Sequence, residues 1–567
     1  MRTSPGPTPG ARRRRPGPSP AVSSLRKRDE DLHQRTVTRI AASDGGPLAT
    51  SDAADTRRDD GRTQLTLGST LVYKLSASDQ FTVSPSVLSW RTSSDADERH
   101  EPGAGSGRLP DARERARARM TLVSLPLNWR HETACGSQLE IDASPSRNRV
   151  RRQSSRLDLL EPAAGAALLR DAARLDRQDV DVLRVDLTPN VGDAHALKLG
   201  VNLGRLVYRN DLVATIDGAP DPASTPFGAT QDLRGPRHSA FIQDEWTISR
   251  RWAATAGVSA EWRRLRIEEG PLSSISTYRV ASPSLHVAHK LDDAGARRLR
   301  LSLARSFRAP EVEQLTQRPT IHPLAPCSPV ACGPNEVTHA DLSGNPDLRP
   351  ERSVGVTATY EQSVGKDTLI SLDVFERRLK DVMGEVVGLQ AVPWAAVPRY
   401  LIRPENLGTA RTSGVGLDAR IALADVSEAL PKVELRAGVT VARSRLDTVP
   451  GPDNRMADQS PWSAKLGGKY KLRSMPMELS VDASWTPGLW YRTAVDRRLY
   501  QGRRQDLSAQ ASWTISPTAK FRLGASNLLA RDADRADVFG VGARQDGSVW
   551  TRRDTAPTLT VLLEMKV

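Results

Sequence analysis

The chain has 567 residues, of which 81 are lysine or arginine and 67 are aspartate or glutamate, giving a formal net charge of +14. Hydrophobic residues make up only 38% of the sequence, and the mean hydropathy is −0.46. No run approaches the roughly 18 apolar residues of a membrane helix, which excludes helical spanning. A transmembrane β-barrel fits this composition, because only alternate residues of each strand must be apolar.

Residues 1–26 are predicted to be a disordered segment rich in proline and arginine, with its charge concentrated at Arg12 to Arg15. Such an arm can contact nucleic acid, but the other basic residues are spread along the chain, so we expect no nucleic-acid partner. No apolar secretory core follows the arginines. We therefore interpret this N terminus as a displaced or truncated start.

From residue 27 onward, strand candidates recur in pairs joined by short turns, with polar connections between the pairs. One weaker candidate at 27–41 brings nineteen clear strands to twenty, the even number expected of a bacterial barrel. The predicted pairs are 64–75 with 79–92, 115–131 with 137–152, 178–189 with 194–208, 235–248 with 250–266, 275–291 with 296–307, 352–364 with 367–380, 410–423 with 431–445, 461–473 with 476–489 and 504–515 with 518–530, followed by a last strand at 558–567.

Short turns on one side and long loops on the other predict an all-β fold, a large antiparallel transmembrane barrel over residues 27–567 with long extracellular loops. The long loops are expected at 93–114, 209–234, 308–351, 381–409 and 531–557. A soluble β-sandwich also has alternating strands and remains the alternative fold.

Tryptophans at strand ends support the membrane interpretation. Trp252 and Trp262 bound ten residues of alternating small and apolar side chains, a span of roughly 33 Å that a 40° tilt reduces to roughly 25 Å. Trp485 ends a second alternating strand. We predict that Trp252, Trp262 and Trp485 anchor the barrel at the lipid–water interfaces, with outer-membrane lipid as a partner.

Several segments resemble the barrel of TonB-dependent outer-membrane receptors. They are FIQDEWTISRRWAATAGVSAEW (241–262), SFRAPEVEQL (306–315), GNPDLRPERS (344–353), NLGTARTSGVGLDARI (406–421), SPTAKFRLGASNLLARD (516–532), VPGPDNR (449–455) and the terminal LLEMKV. Gly416 stands where this family usually has glutamate, and Val567 is not the aromatic residue common at barrel C termini. The resemblance covers roughly residues 60–567.

The resemblance implies a 22-stranded barrel, of which about 20 strands are found here, filled by an N-terminal plug. It also implies a monomer in the outer membrane that takes up a small metal chelate, usually a ferric siderophore, driven by the TonB complex. We find no plug and no TonB-binding segment, so the chain is expected to be an N-terminally truncated receptor. A passive pore lacking its plug and a soluble β-rich interaction protein remain the alternatives. Enzymatic motifs are absent, and neither catalysis nor a cofactor is expected.

Two kinds of side chain could bind a ligand. Cys327 and Cys332 lie in one predicted extracellular loop and are expected to form a disulfide, with a metal site that includes His322 and His339 as the alternative. Arginines of the lumen and loops could attract an anionic chelate, although pairing with lumen carboxylates is the simpler expectation. These are Arg298, Arg300, Arg308, Arg349 and Arg352.

Overall fold

A computed structural model describes residues 22–41, 48–103, 109–161, 166–325, 333–427, 429–457, 459–540 and 546–566. The strands in these ranges are β1 (Val22–Ala41), β2 (Leu48–Gly68), β3 (Leu71–Lys74), β4 (Asp79–Val83), β5 (Ser86–Pro102), β6 (Asp111–Ser124), β7 (Leu127–Glu132), β8 (Gln138–Ala143), β9 (Ser146–Glu161), β10 (Ala166–Thr188), β11 (His195–Ile216), β12 (Ala219–Pro220), β13 (Thr230–Thr247), β14 (Trp252–Glu269), β15 (Leu272–Lys290), β16 (Arg297–Arg308), β17 (Asp341–Leu342), β18 (Glu351–Val364), β19 (Thr368–Lys380), β20 (Met383–Gln390), β21 (Arg399–Asn406), β22 (Ala410–Ala422), β23 (Val433–Leu446), β24 (Trp462–Lys471), β25 (Met477–Thr486), β26 (Leu489–Ala494), β27 (Arg497–Gln501), β28 (Arg504–Ser516), β29 (Ala519–Ser526), β30 (Ala533–Phe539), β31 (Gly547–Arg553) and β32 (Thr558–Lys566).

Helices are confined to the connections. They are α1 (Val312–Leu315), α2 (Leu423–Val426) and two single 3₁₀ turns at Thr225–Phe227 and Val337–His339. In the part of the chain that the structure describes, no helix combines the length and the apolar content needed to cross a membrane.

Antiparallel pairing joins the main strands into a closed ring. Its order is β1–β2–β5–β6–β9–β10–β11–β13–β14–β15–β16–β18–β19–β22–β23–β24–β25–β28–β29–β32 and back to β1. Within the described ranges the ring therefore has twenty positions, and the weaker strand candidate at 27–41 occupies one of them. Closure leaves the ring without a free sheet edge.

The remaining wall strands extend ring strands past a local break. Five of these breaks contain a proline, at Pro85, Pro126, Pro145, Pro487 and Pro557, and proline has no N–H to donate to the ladder. β3, β4, β7 and β8 continue the sheet beyond such breaks toward the rim of short turns. We call the end of the barrel that carries the short turns the short-turn rim, and the opposite end the long-loop rim.

The strands reach further than the sequence predicted. β1 begins at Val22, so residues 22–26 lie in the wall rather than in the predicted disordered segment, whose residues 1–21 lie outside the described ranges. Much of the predicted loops 93–114, 209–234 and 531–557 is strand, as in β5, which runs to Pro102, and β11, which runs to Ile216. The extension of β5, SSDADERHEP, is charged and polar, so the apolar periodicity used to find strands is missing there, whereas that of β11, RNDLVATI, is charged only at its start.

Two long connections fold against the inner wall at the long-loop rim. Wall residues Leu233, Leu265 and Ile267 are almost fully buried, and they pack with Leu315 and Leu348 from the connection between β16 and β18. A second apolar cluster joins Phe227 to Trp394 and Leu401. β17, β20 and β21 form a small separate sheet within these connections. The mouth of the barrel therefore contains packed, ordered chain.

Candidate ligand-binding cavity

The folded connections enclose a cavity of about 840 Å³ at the long-loop rim, which we call the mouth cavity. One side is formed by inward-facing wall residues such as Asn210 and Gln231, and the other by β27 and β30 across the mouth. The connection at 316–320 and the small sheet of β20 and β21 complete its lining. A volume of this size accommodates a small organic ligand or chelate.

Cationic side chains outnumber anionic ones around the mouth cavity. Its carboxylates are Glu313, Glu385 and Asp537. Its guanidinium groups number six, those of Arg174, Arg308, Arg318, Arg403, Arg497 and Arg535. Arg174, Arg308 and Arg403 pair with Asp176, Glu351 and Glu405 outside the lining, and Arg497 pairs with Asp537. The cations without an ion pair within the described ranges are Arg318 and Arg535, and these can attract an anionic ligand.

Arg318 is partly buried and held by two hydrogen bonds. Its Nη1 donates to Asn210 Oδ1 at 2.8 Å and its Nη2 donates to the Gly228 carbonyl at 2.7 Å. Its buried Nε has no protein partner, and burial lowers the pKa of the guanidinium. The Glu269 carboxylate accepts the backbone N–H of Arg318 at 3.1 Å and is a countercharge near the guanidinium, although within the described ranges no carboxylate reaches ion-pair distance of the side chain. A bound anion would supply the missing acceptor at Nε.

Arg497 and Arg535 form the opposite side. Arg497 is almost fully buried and pairs with Asp537 at 2.7 Å and Glu385 at 3.5 Å. Arg535 is exposed, and its side chain has no ion pair with any residue in the described parts of the chain. The cavity therefore has one neutralised and one available cation on the side facing Arg318.

A buried ion pair holds the connection that carries Arg318. Arg399 of β21 and Asp341 of β17 have fully buried side chains, and Arg399 Nη2 donates to Asp341 Oδ1 at 2.8 Å. Arg399 also donates to the carbonyls of Gly333 and Ala325, at 2.7 and 2.8 Å. Trp394 Nε1 donates to the same Asp341 carboxylate at 3.0 Å. This network ties the connection between β16 and β18 to the β20–β21 hairpin.

Two histidines lie beside this network, with ring centroids of His322 and His339 4.9 Å apart. Burial and the neighbouring His339 lower the pKa of His322 to about 4, and burial also lowers the pKa of His339. Both rings are therefore neutral at pH 7. The described residues contain no group of three or more histidine, cysteine or acidic side chains placed to hold a metal ion.

A family model for the β-barrel of TonB-dependent receptor-like proteins matches residues 20–528, most of the chain. The chain belongs to the TonB-dependent receptor family. With that membership, the closed barrel is placed in the outer membrane, with its short turns on the periplasmic side and its long loops outside.

The relatives that the chain was matched with are distant in sequence. An iron-regulated outer membrane virulence protein of Vibrio cholerae is 23% identical over 234 residues, which is 38% of this chain and 31% of that protein. The match thus spans about a third of the curated relative. The ferric-catecholate import receptor Fiu of K12 E. coli is 10% identical with a TM-score of 0.59, and the alignment covers 98% of this chain and 82% of that one. The Pseudomonas aeruginosa ferripyoverdine receptor is 12% identical with a TM-score of 0.57, covering 96% and 72%. These structural matches establish the fold.

The predicted interface tryptophans lie on the receptor's outer wall. Trp252 begins β14 at the short-turn rim and stacks on His289 at 4.1 Å, and Trp262 lies ten residues further along the same face. Both are about two-fifths exposed, and Trp485 of β25 is partly exposed. Trp246, Trp462 and Trp513 are exposed at strand ends as well, so tryptophans occur near both borders of the apolar band. The anchoring role stays a prediction.

The other predicted residues have different outcomes. Cys327 and Cys332 lie outside the described residues, so the disulfide stays a prediction; Cys135 is an exposed free thiol in the turn between β7 and β8. Four of the arginines pair with carboxylates, at Arg300–Glu361, Arg308–Glu351, Arg349–Asp381 and Arg352–Asp381. Arg298 Nε donates to the Gly295 carbonyl at 2.9 Å. Only Arg308 of this group lines the mouth cavity.

Sequence reasoning missed Arg318, Arg497 and Arg535. Each lies in a segment without a motif, and they meet only because the barrel closes and the long connection folds inward. The excess of arginine was visible in the sequence. Its concentration at the mouth was not.

Proposed function

We propose that this chain forms the barrel of an outer-membrane receptor that takes up a scarce nutrient as an anionic metal chelate, a ferric siderophore or a similar complex. The observation that carries the proposal is the mouth cavity, with six guanidinium groups and three carboxylates at the extracellular end of a TonB-dependent receptor barrel. The names of the two structural neighbours, a ferric-catecholate import receptor and a ferripyoverdine receptor, agree with this class of ligand. The TonB complex is the proposed energy source.

Within this proposal the ligand enters from outside and its anionic groups bind between Arg318 and Arg535. A charge-assisted hydrogen bond contributes about 1.5–3 kcal/mol. Loss of one guanidinium is therefore expected to weaken binding by roughly tenfold to a hundredfold.

Equilibrium binding tests this function. The folded full chain is titrated with ferric catecholate, hydroxamate and carboxylate chelates while tryptophan fluorescence is followed. At least one chelate should bind saturably, and both Arg318→Gln and Arg535→Gln should weaken that binding. Arg251→Gln is the matched control, because Arg251 lies at the opposite rim, paired with Asp293 at 2.7 Å. The proposal fails if no chelate binds, or if the control reduces affinity as much as the cavity variants.

A further inference from the structure

A cross-strand row of arginines lies on the outer wall. The pairing register places Arg91 of β5 opposite Arg119 of β6, and Arg119 opposite Arg151 of β9. All three side chains are exposed. We call them the guanidinium row. On the other side of Arg91 its partner on β2 is Thr63, and Thr63 pairs in turn with Lys27 of β1. Lys27 therefore flanks the row.

The row faces lipid rather than the lumen. Side chains alternate across a sheet, so odd-numbered residues of β6 point the same way as exposed Val123. Even-numbered residues such as Met120, which is buried, point inward. Leu65 and Leu67 of β2 are exposed, and the pairing of β2 with β5 places them on this same outer face.

The height of the row matches the headgroup layer. Arg119 lies four residues beyond Val123 toward the long-loop rim, which is about 13 Å along the strand and about 10 Å after tilt. Thr63 lies two residues beyond Leu65, or about 5 Å. The polar headgroup layer extends roughly 5–8 Å beyond the hydrocarbon on each side of a bilayer. The row therefore lies about 5–10 Å beyond the last exposed apolar residues of β2 and β6, within the headgroup layer and at its outer edge on the extracellular side.

Protein carboxylates leave the three guanidiniums of the row uncompensated, whereas the flanking Lys27 pairs with Asp29 at 3.0 Å. Like charges directly opposite each other in a sheet are destabilising, and none of the three guanidiniums has an ion pair within the ranges that the structure describes. The nearest outward row of carboxylates, Asp31, Asp59 and Asp95, lies four residues higher, and Asp95 is already paired with Arg115 at 2.7 Å.

The same arrangement recurs on a second arc of the barrel. Arg378, Arg411 and Arg445 are opposite one another on β19, β22 and β23, each four residues beyond an exposed valine. Here Arg378 and Arg445 have a nearby carboxylate, at 3.5 and 3.8 Å, and Arg411 has no ion pair within the described part of the chain. Repetition at one height on two arcs indicates a property of that layer of the membrane.

We propose that Arg91, Arg119 and Arg151, flanked by Lys27, bind the phosphate groups of lipid headgroups in the outer leaflet around the barrel. Guanidinium groups bind phosphate in a bidentate geometry, and a divalent or higher anion between adjacent strands relieves the repulsion along the row. The site is independent of the transported ligand, because it lies outside the wall that encloses the mouth cavity.

The test uses the full chain folded in zwitterionic lipid nanodiscs, with a bis-phosphorylated diglucosamine lipid (lipid A) as the probe. Bound lipid is counted by native mass spectrometry. Each cation near an anionic lipid surface contributes about a fivefold change in affinity, so Arg91→Gln/Arg119→Gln/Arg151→Gln should weaken binding roughly a hundredfold. The matched control removes the same charge higher on β5 and β6, two of the three strands of the row, as Arg99→Gln/Arg113→Gln/Arg115→Gln, and should change affinity less than fivefold.

Two further measurements keep the test decisive if the triple variant folds poorly. Removal of both phosphates from the probe should abolish the preference in the wild-type protein. The charge-preserving triple change to lysine should retain affinity within about tenfold. Equal binding of phosphorylated and dephosphorylated probe, or equal losses in the two glutamine triples, would overturn the proposal.

Discussion

Replacing Asp341 with asparagine should release the connection that carries Arg318. Asp341 accepts hydrogen bonds from Arg399, from Trp394 and from the backbone N–H of His322 at 3.0 Å. Asparagine has nearly the same shape, but it leaves the fully buried Arg399 guanidinium without a countercharge and turns an NH₂ group toward donors. Removing one partner of a buried ion pair costs about 3–5 kcal/mol.

The lost free energy should lower the stability of the connections against local opening rather than that of the whole barrel against unfolding, because the ion pair joins two connections and no wall strands. Amide hydrogen exchange of peptides within 333–406 reports it. A loss of about 3–5 kcal/mol corresponds to exchange faster by between about a hundredfold and a few thousandfold. Wall peptides in β13 and β14 should exchange at the wild-type rate.

Two controls separate the charge effect from general damage. Asp293→Asn removes an exposed partner of Arg251 at the short-turn rim and should leave exchange in 333–406 unchanged. The double variant Asp341→Leu/Arg399→Met removes both charges and should recover much of the lost protection. If Asp341→Asn changes exchange by less than threefold, the buried pair does not hold this connection.

Further predictions concern the turns, the histidines and the tryptophans. Asp425 accepts backbone N–H groups of Lys366, Asp367 and Thr368, which lowers the pKa of its carboxyl, so Asp425→Asn should reduce the heat stability of the folded barrel at pH 7. In the wild type the stability contributed by Asp425 is fully present above the ordinary carboxyl pKa, and it is lost as pH falls through the lowered pKa of the folded state. The difference in heat stability between wild type and Asp425→Asn should therefore change with pH, and a difference that stays constant would contradict the prediction. His322 has a folded pKa of about 4, below its ordinary value, so protection of 333–406 should weaken as pH falls from 6.5 toward 4, and His322→Gln should flatten this profile in hydrogen exchange. Trp252 and Trp262 should be quenched by lipids brominated near the headgroup more than by lipids brominated at the chain end; the reverse order would refute interfacial anchoring.

The strands of the wall could be predicted from the sequence because the alternation of apolar and polar side chains is visible in neighbouring residues. The β13–β14 hairpin was found with its turn, since Trp246 and Trp252 bound a short polar link. The charged extensions of β2 and β5 were missed. Their outward faces stand above the hydrocarbon and need no apolar side chains, so the pattern that marks a membrane strand is absent from them.

The mouth cavity could not be predicted for a different reason. Arg318 and Arg535 are more than two hundred residues apart, and they face one cavity only because β1 closes the ring against β31 and β32 and the long connection folds inward. Alternation specifies which face a side chain occupies and says nothing about which distant face lies across the lumen. The buried Arg399–Asp341 pair was equally hidden, because its burial arises from packing between two connections.

The proposed function requires an anionic iron chelate to bind in the mouth cavity. The most direct measurement is anomalous scattering at the iron edge from crystals of the protein grown with a saturating ferric chelate. An iron peak is predicted inside the mouth cavity, between the guanidinium groups of Arg318 and Arg535. No ordered iron at saturating chelate, or a peak only on the outer wall, would contradict binding in the mouth cavity.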